Sequence, residues 1–78
     1  MEETKKVLVV GATGGTGRAA VEALLRRGHR VTAFSRHAES MDLDSERLTL
    51  LNGDATDLED VERAVAGHDA VVITLGIT

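Results

Sequence analysis

Seventy-eight residues, 42% apolar and 28% charged, suit one small globular domain; chains near this size bury only about 60% of their unfolded surface, so its core must be modest. A net charge of −4 offers no basic face for nucleic acid, and the lack of cysteine leaves neither a disulfide framework nor thiolate metal ligands. No apolar run approaches the roughly 18 to 20 residues of a membrane span, and the polar start Met1-Glu2-Glu3-Thr4-Lys5-Lys6 lacks a signal-peptide core, so a cytoplasmic location is expected.

The first element is a strand over Lys6 to Val10, whose successive branched residues read as buried on both faces. It breaks at Gly11-Ala12-Thr13-Gly14-Gly15-Thr16-Gly17, and a helix follows from Gly15 to Arg27 with Val21, Leu24 and Leu25 as its apolar stripe. A strand, a glycine turn and a helix in that order make a phosphate site. The amides of a first helical turn lack intrahelical acceptors, and the helix dipole adds partial positive charge beside them. The spacing is G-x-x-G-x-x-G, not the G-x-G-x-x-G dinucleotide fingerprint, and a P-loop is excluded because no lysine stands at the helix start. By position, Gly11 turns the chain out of the strand, Gly14 admits a pyrophosphate and Gly17 lets the helix pack on the sheet. The alternative is a glycine-rich turn that holds no ligand.

Arg26 and Arg27 in the last turn suit the helix dipole, and Gly28 takes the left-handed position past the end. A second strand is expected at Arg30 to Phe34, then a loop from Ser35 to Arg47 with at most one short turn, and a third strand at Leu48 to Asn52. The next helix opens at Thr56-Asp57-Leu58-Glu59, where Thr56 and Glu59 have capping-box spacing. Leu58, Val61 and Val65 give it one apolar face, and Gly67 ends it. Ala70 to Leu75 reads as a fourth, wholly apolar strand.

These elements describe half of a doubly wound α/β (Rossmann) sheet, with four parallel strands in the order 3-2-1-4 and a helix on each face. The fourth strand would then be an unprotected apolar edge. Either the chain is the N-terminal part of a longer protein, or copies pair through Ala70 to Leu75 as a homo-oligomer.

Val9 to Gly17, Val31-Thr32-Ala33-Phe34-Ser35-Arg36, Gly53-Asp54-Ala55-Thr56-Asp57 and Ala66-Gly67-His68-Asp69-Ala70-Val71-Val72 resemble the N-terminal half of NmrA-like NAD(P)H-binding proteins, atypical short-chain dehydrogenases of the flavin and biliverdin reductase type. The resemblance runs from Lys5 to Thr78 and implies a dinucleotide cofactor and oxidoreductase activity in a longer parent. It assigns Gly11, Thr13, Gly14, Gly15, Thr16 and Gly17 to the pyrophosphate loop, Arg36 to the adenosine 2′-phosphate, Asp54 and Ala55 to the adenine border, and Leu75 and Gly76 to the ribose and nicotinamide side.

Arg36 supports NADP(H) over NAD(H) on physical grounds as well. An NAD site usually has an acid about 20 residues beyond the glycines, where an arginine instead accommodates the 2′-phosphate. Here no acid appears before Glu39; the alternative for Arg36 is a solvated loop side chain. Asp54 could border adenine or cap its own loop. Arg18 could meet a phosphate or solvent, and His29, His37 and His68 lack metal-ligand spacing and read as solvated loop residues. The chain has no tyrosine, and its only lysines are Lys5 and Lys6, so the tyrosine–lysine dyad of many short-chain dehydrogenases is absent and no catalytic residue is assigned. Two readings remain open: the cofactor-binding part of an NADPH-dependent oxidoreductase, and a non-catalytic redox-sensing or structural module.

Overall fold

The computed structural model describes residues 4–12, 15–41, 43 and 45–74. Four strands, β1 (Lys6–Val10), β2 (Arg30–Ser35), β3 (Leu48–Asn52) and β4 (Ala70–Ile73), form one parallel sheet in the order β3-β2-β1-β4. Two helices, α1 (Gly15–Arg26) and α2 (Leu58–Val65), connect them. The expected 3-2-1-4 Rossmann-like arrangement is therefore the observed one.

The apolar character of β1 explains its central place. Val7 to Val10 are all buried, as a strand with neighbours on both edges and helices on both faces requires. Alternate side chains then divide into two cores. Val7 and Val9 join Val31, Ala33 and Met41 against Val21 of α1. Leu8 and Val10 join Phe34 against Ala64 of α2 on the other side, so the helices lie on opposite faces as expected. Leu8, Val9, Val21, Val31 and Phe34 are the large side chains most completely removed from water, each stabilising the fold by about 1.5–3 kcal/mol.

Several expectations need correction. The helix expected to reach Arg27 ends at Arg26, because the Arg27 amide is shared between the Ala23 and Leu24 carbonyls, both at 3.2 Å, as the last turn tightens. Gly28, at φ +86°, then reverses the chain. The second strand gains Ser35, which pairs with Asn52 of β3. The loop that follows is as expected: among its described residues Ala38–Ser40 forms one 3-10 turn, anchored where the Ala38 amide donates to Asn52 Oδ1 at 2.8 Å.

The capping box at Thr56 does not form. Asp57 is the N-cap of α2, its carboxylate accepting from the Glu59 amide at 2.9 Å and the Asp60 amide at 3.4 Å. Thr56 Oγ1 instead donates to Asp54 at 2.6 Å, which holds it in the preceding turn. The stripe Leu58, Val61, Val65 also fails to make a buried face: Leu58 and Val65 are exposed, and Ala64 is the buried residue of the helix. The sheet below ends at β4, whose Val71 and Ile73 are themselves exposed.

Candidate functional site

The carboxyl ends of β1, β2 and β3 are tied together by backbone hydrogen bonds. The Gly11 amide donates to the Phe34 carbonyl at 3.0 Å, and the Gly53 amide donates to the Ser35 carbonyl at the same distance. From the other side the Thr74 amide donates to the Val10 carbonyl at 2.9 Å. These ties leave the residues after each strand facing one another. Gly11, Arg36, Asp54 and Ala55, all singled out from sequence, line one cleft of about 240 Å³ with Phe34, Ser35, Gly53 and Thr56. The strand order does this: three chain segments up to 44 positions apart (Gly11 to Ala55) meet only because β1, β2 and β3 are neighbours.

Gly11 reaches the cleft with φ +81°, a left-handed conformation that glycine adopts without strain. A Cβ there would also run into the carbonyl of Thr74. Six positions on, Gly17 is buried where α1 crosses the sheet end; a Cβ on it would lie 2.7 Å from Thr74 Oγ1 and 2.8 Å from the Ala12 Cα. The packing role expected of Gly17 is thus met. Gly15 differs, since a Cβ there would project into open space. Gly15 and Thr16 are exposed at the first turn of α1, which carries no acidic residue. Their amides belong to the set that lacks intrahelical acceptors, so this corner offers N–H donors and a dipole to an anion. Thr13, Gly14, Leu75 and Gly76 lie outside the described residues.

Across the cleft, Arg36 Nη2 sits 3.5 Å from Asp54 Oδ1, with the two side chains 67% and 42% exposed. The same oxygen accepts from the Thr56 amide at 2.8 Å and from the Thr56 hydroxyl. The Thr56 hydroxyl and amide, with a lesser share from Arg36, hold the Asp54 carboxyl below the ordinary aspartate range. Asp60 is lowered too, by the Asp54 amide donating to its Oδ2 at 3.0 Å and by its pair with Arg63. Asp54 is therefore ionised at neutral pH and faces Arg36 in the cleft. Arg36, exposed and only loosely engaged, is a cation available to an incoming anion.

Other residues are placed differently from expectation. Arg18 lies 3.3 Å from Glu22 one turn along α1. His68 is half-buried rather than solvated, with Nε2 2.7 Å from Thr32 Oγ1; the turn after Gly67 carries it back over the sheet. His29 Nδ1 accepts from the Lys5 amide at 3.2 Å. Thr74 was not foreseen as part of this corner. Its hydroxyl lies 2.9 Å from the Val10 carbonyl and 3.1 Å from that of Gly11, fastening the end of β4 to the glycine turn. The expected fourth strand runs through Thr74 to Leu75, but β4 ends at Ile73, which leaves Thr74 to bond the glycine turn.

Residues 11–78 match the family described as NAD(P)H-binding. The chain is 42% identical over 72 residues to the 3-beta-hydroxysteroid dehydrogenase of Mycolicibacterium neoaurum, covering 92% of this chain and 19% of that protein. It is 33% identical over 86 residues to phenylcoumaran benzylic ether reductase TP7 of Nicotiana tabacum, covering 99% of this chain and 28% of that one. The solved structure of the Bordetella bronchiseptica enzyme WbmH in complex with NAD+ superposes with a TM-score of 0.83 at 30% identity, covering 97% of this chain and 27% of the enzyme. The chain spans less than a third of the length of each.

Proposed function

The chain belongs to the NAD(P)H-binding family, and from that premise we propose that it is the cofactor-binding part of an NADP(H)-preferring oxidoreductase acting in the cytoplasm. The observation that carries this reading is the meeting of Gly11, Arg36, Asp54 and Ala55 on one cleft beside the N-terminus of α1. The donor set suits a dinucleotide. Backbone amides of Gly15, Thr16 and Gly17, with those of Thr13 and Gly14 just before them in sequence, would hold the pyrophosphate; the open space at Gly15 is room for its approach. Arg36 would hold the adenosine 2′-phosphate, Asp54 and Ala55 would border the adenine, and Leu75 and Gly76 would follow the ribose toward the nicotinamide. When bound, the reduced nicotinamide supplies a hydride, for which a flavin, a quinone or a carbonyl compound is the expected class of acceptor.

A second reading is favoured by one observation. The chain has no tyrosine, and of its two lysines Lys6 opens β1 at the end of the sheet remote from the cleft. Among the described residues no tyrosine or lysine stands at the cleft, and in this second reading the 78 residues are a binding module rather than a catalyst. In that form two copies associate through the exposed edge of β4.

Fluorescence titration with NADPH and NADH, repeated on Arg36→Ala, tests the main reading. A charge-assisted hydrogen bond contributes about 1.5–3 kcal/mol, so NADPH should bind about 10- to 150-fold more tightly than NADH, and the variant should lose most of that difference. Equal affinities in the parent chain would remove Arg36 from the site; no saturable signal from either nucleotide would remove the site itself.

A further inference from the structure

Six of the nine lysines and arginines, Lys5, Lys6, Arg26, Arg27, Arg30 and Arg47, gather at the amino ends of the strands and the adjoining C-terminus of α1. Arg26 and Arg27 suit the helix dipole there. Three of the others form an ordered array. Lys6 and Arg30 are register partners on β1 and β2. Arg47 stands beside Arg30 one step before the Val31–Leu48 pair, its carbonyl accepting from the Val31 amide at 2.9 Å. Three cations thus occupy one rung, with neighbouring strands about 4.8 Å apart. Like charges on facing positions destabilise a sheet, so the rung gains nothing for the fold by itself.

Two residues further on, the same face carries a second rung of Leu8, Thr32 and Thr49, two of its three members hydroxyls. The first rung and the two threonines of the second line a cleft of about 320 Å³ closed by the Ala66-Gly67-His68 turn, where His68 Nε2 meets Thr32 Oγ1. Among the described residues two carboxylates stand nearby: Glu46 lines the cleft, and Asp69 Oδ2 accepts from the Lys6 amide at 2.9 Å. Arg47 already donates one N–H to the Leu25 carbonyl at 2.8 Å, leaving other donors of its guanidinium. Among the described residues neither Lys6 nor Arg30 is in an ion pair.

We propose that this cleft, at the opposite end of the strands from the dinucleotide site, binds a small, multiply charged phosphate compound through Lys6, Arg30, Arg47 and the hydroxyls of Thr32 and Thr49. A compact polyanion bridges the rung and removes its self-repulsion. The proposal does not depend on the cofactor reading, because the two sites share no residue.

The test is a titration of the isotopically labelled chain with inorganic pyrophosphate at low ionic strength, followed by amide chemical shifts. Saturable shifts are expected at Lys6, Arg30, Arg47, Thr49 and His68, separately from any at Gly11, Gly15 and Gly17. Arg30→Glu should weaken the first set by about tenfold or more and leave the second unchanged, with Arg30→Gln intermediate. Arg30 is exposed, and the glutamate would face Lys6, so the sheet should persist; preserved dispersion of the core amides checks this. Shifts confined to the glycine turn, or cleft shifts that Arg30→Glu does not weaken, would overturn the proposal.

Discussion

Asp54 shows how much a single carboxylate organises at the cleft. One of its oxygens accepts from the amide and hydroxyl of Thr56 and faces Arg36, while its own amide donates to Asp60. Because both aspartates titrate below their ordinary value in the folded chain, the unfolded chain binds more protons as pH falls through that region. Their contribution to stability is complete above the ordinary aspartate value of about 3.9 and is lost as pH drops through the lowered folded values. Urea unfolding followed by far-ultraviolet dichroism between acid and neutral pH should show this decline, and Asp54→Asn should make it shallower; an unchanged acid limb would separate the Thr56 contacts from stability. Glycine spacing and a basic residue after the second strand were legible in the sequence, because each is a local signal with a local cause. The Arg36–Asp54 pair was not, since it joins residues 18 positions apart through the β2–β3 neighbourhood. His68 was misread for the same reason: adjacency to a turn says nothing about Thr32, 36 residues away.

At the level of elements, sequence pattern placed all four strands and both helices to within two residues wherever the structure describes them, because buried strands and amphipathic helices differ in apolar period. The competition at the start of α2 was harder to read. Thr56 and Asp57 are both good caps by composition, and the choice fell to Asp57 once Asp54 had taken the Thr56 hydroxyl. Asp57→Ala should therefore cost about 1 kcal/mol, read as a lower urea midpoint. Thr56→Ala should leave the helix cap intact and loosen the Asp54 turn, visible as faster amide exchange at Thr56 with little change at Glu59. Equal exchange effects at Glu59 from both variants would restore the capping box.

Among the described residues, β3 and β4 are the two edge strands of the sheet. β3 carries exposed Leu50 and Leu51, while β4 presents Val71 at 40% and Ile73 at 65% exposure, and Leu58 and Val65 of α2 are exposed as well. The Val71 and Ile73 side chains fall on the α2 face, in register with Leu8 and Val10, so the second core stops short beside them. Sedimentation velocity over a concentration series should reveal reversible association, and Ile73→Lys should abolish it by placing a charge at the edge. A single concentration-independent monomer in the parent chain would refute pairing through β4.

The Thr74 hydroxyl joins that edge to the glycine corner through the Val10 and Gly11 carbonyls. A displacement of β4 is therefore a displacement of the platform beneath α1. Were a second copy to pair with β4, edge occupancy and anion capture would be linked: whatever factor the partner applied to nucleotide affinity, the nucleotide would return to the partner.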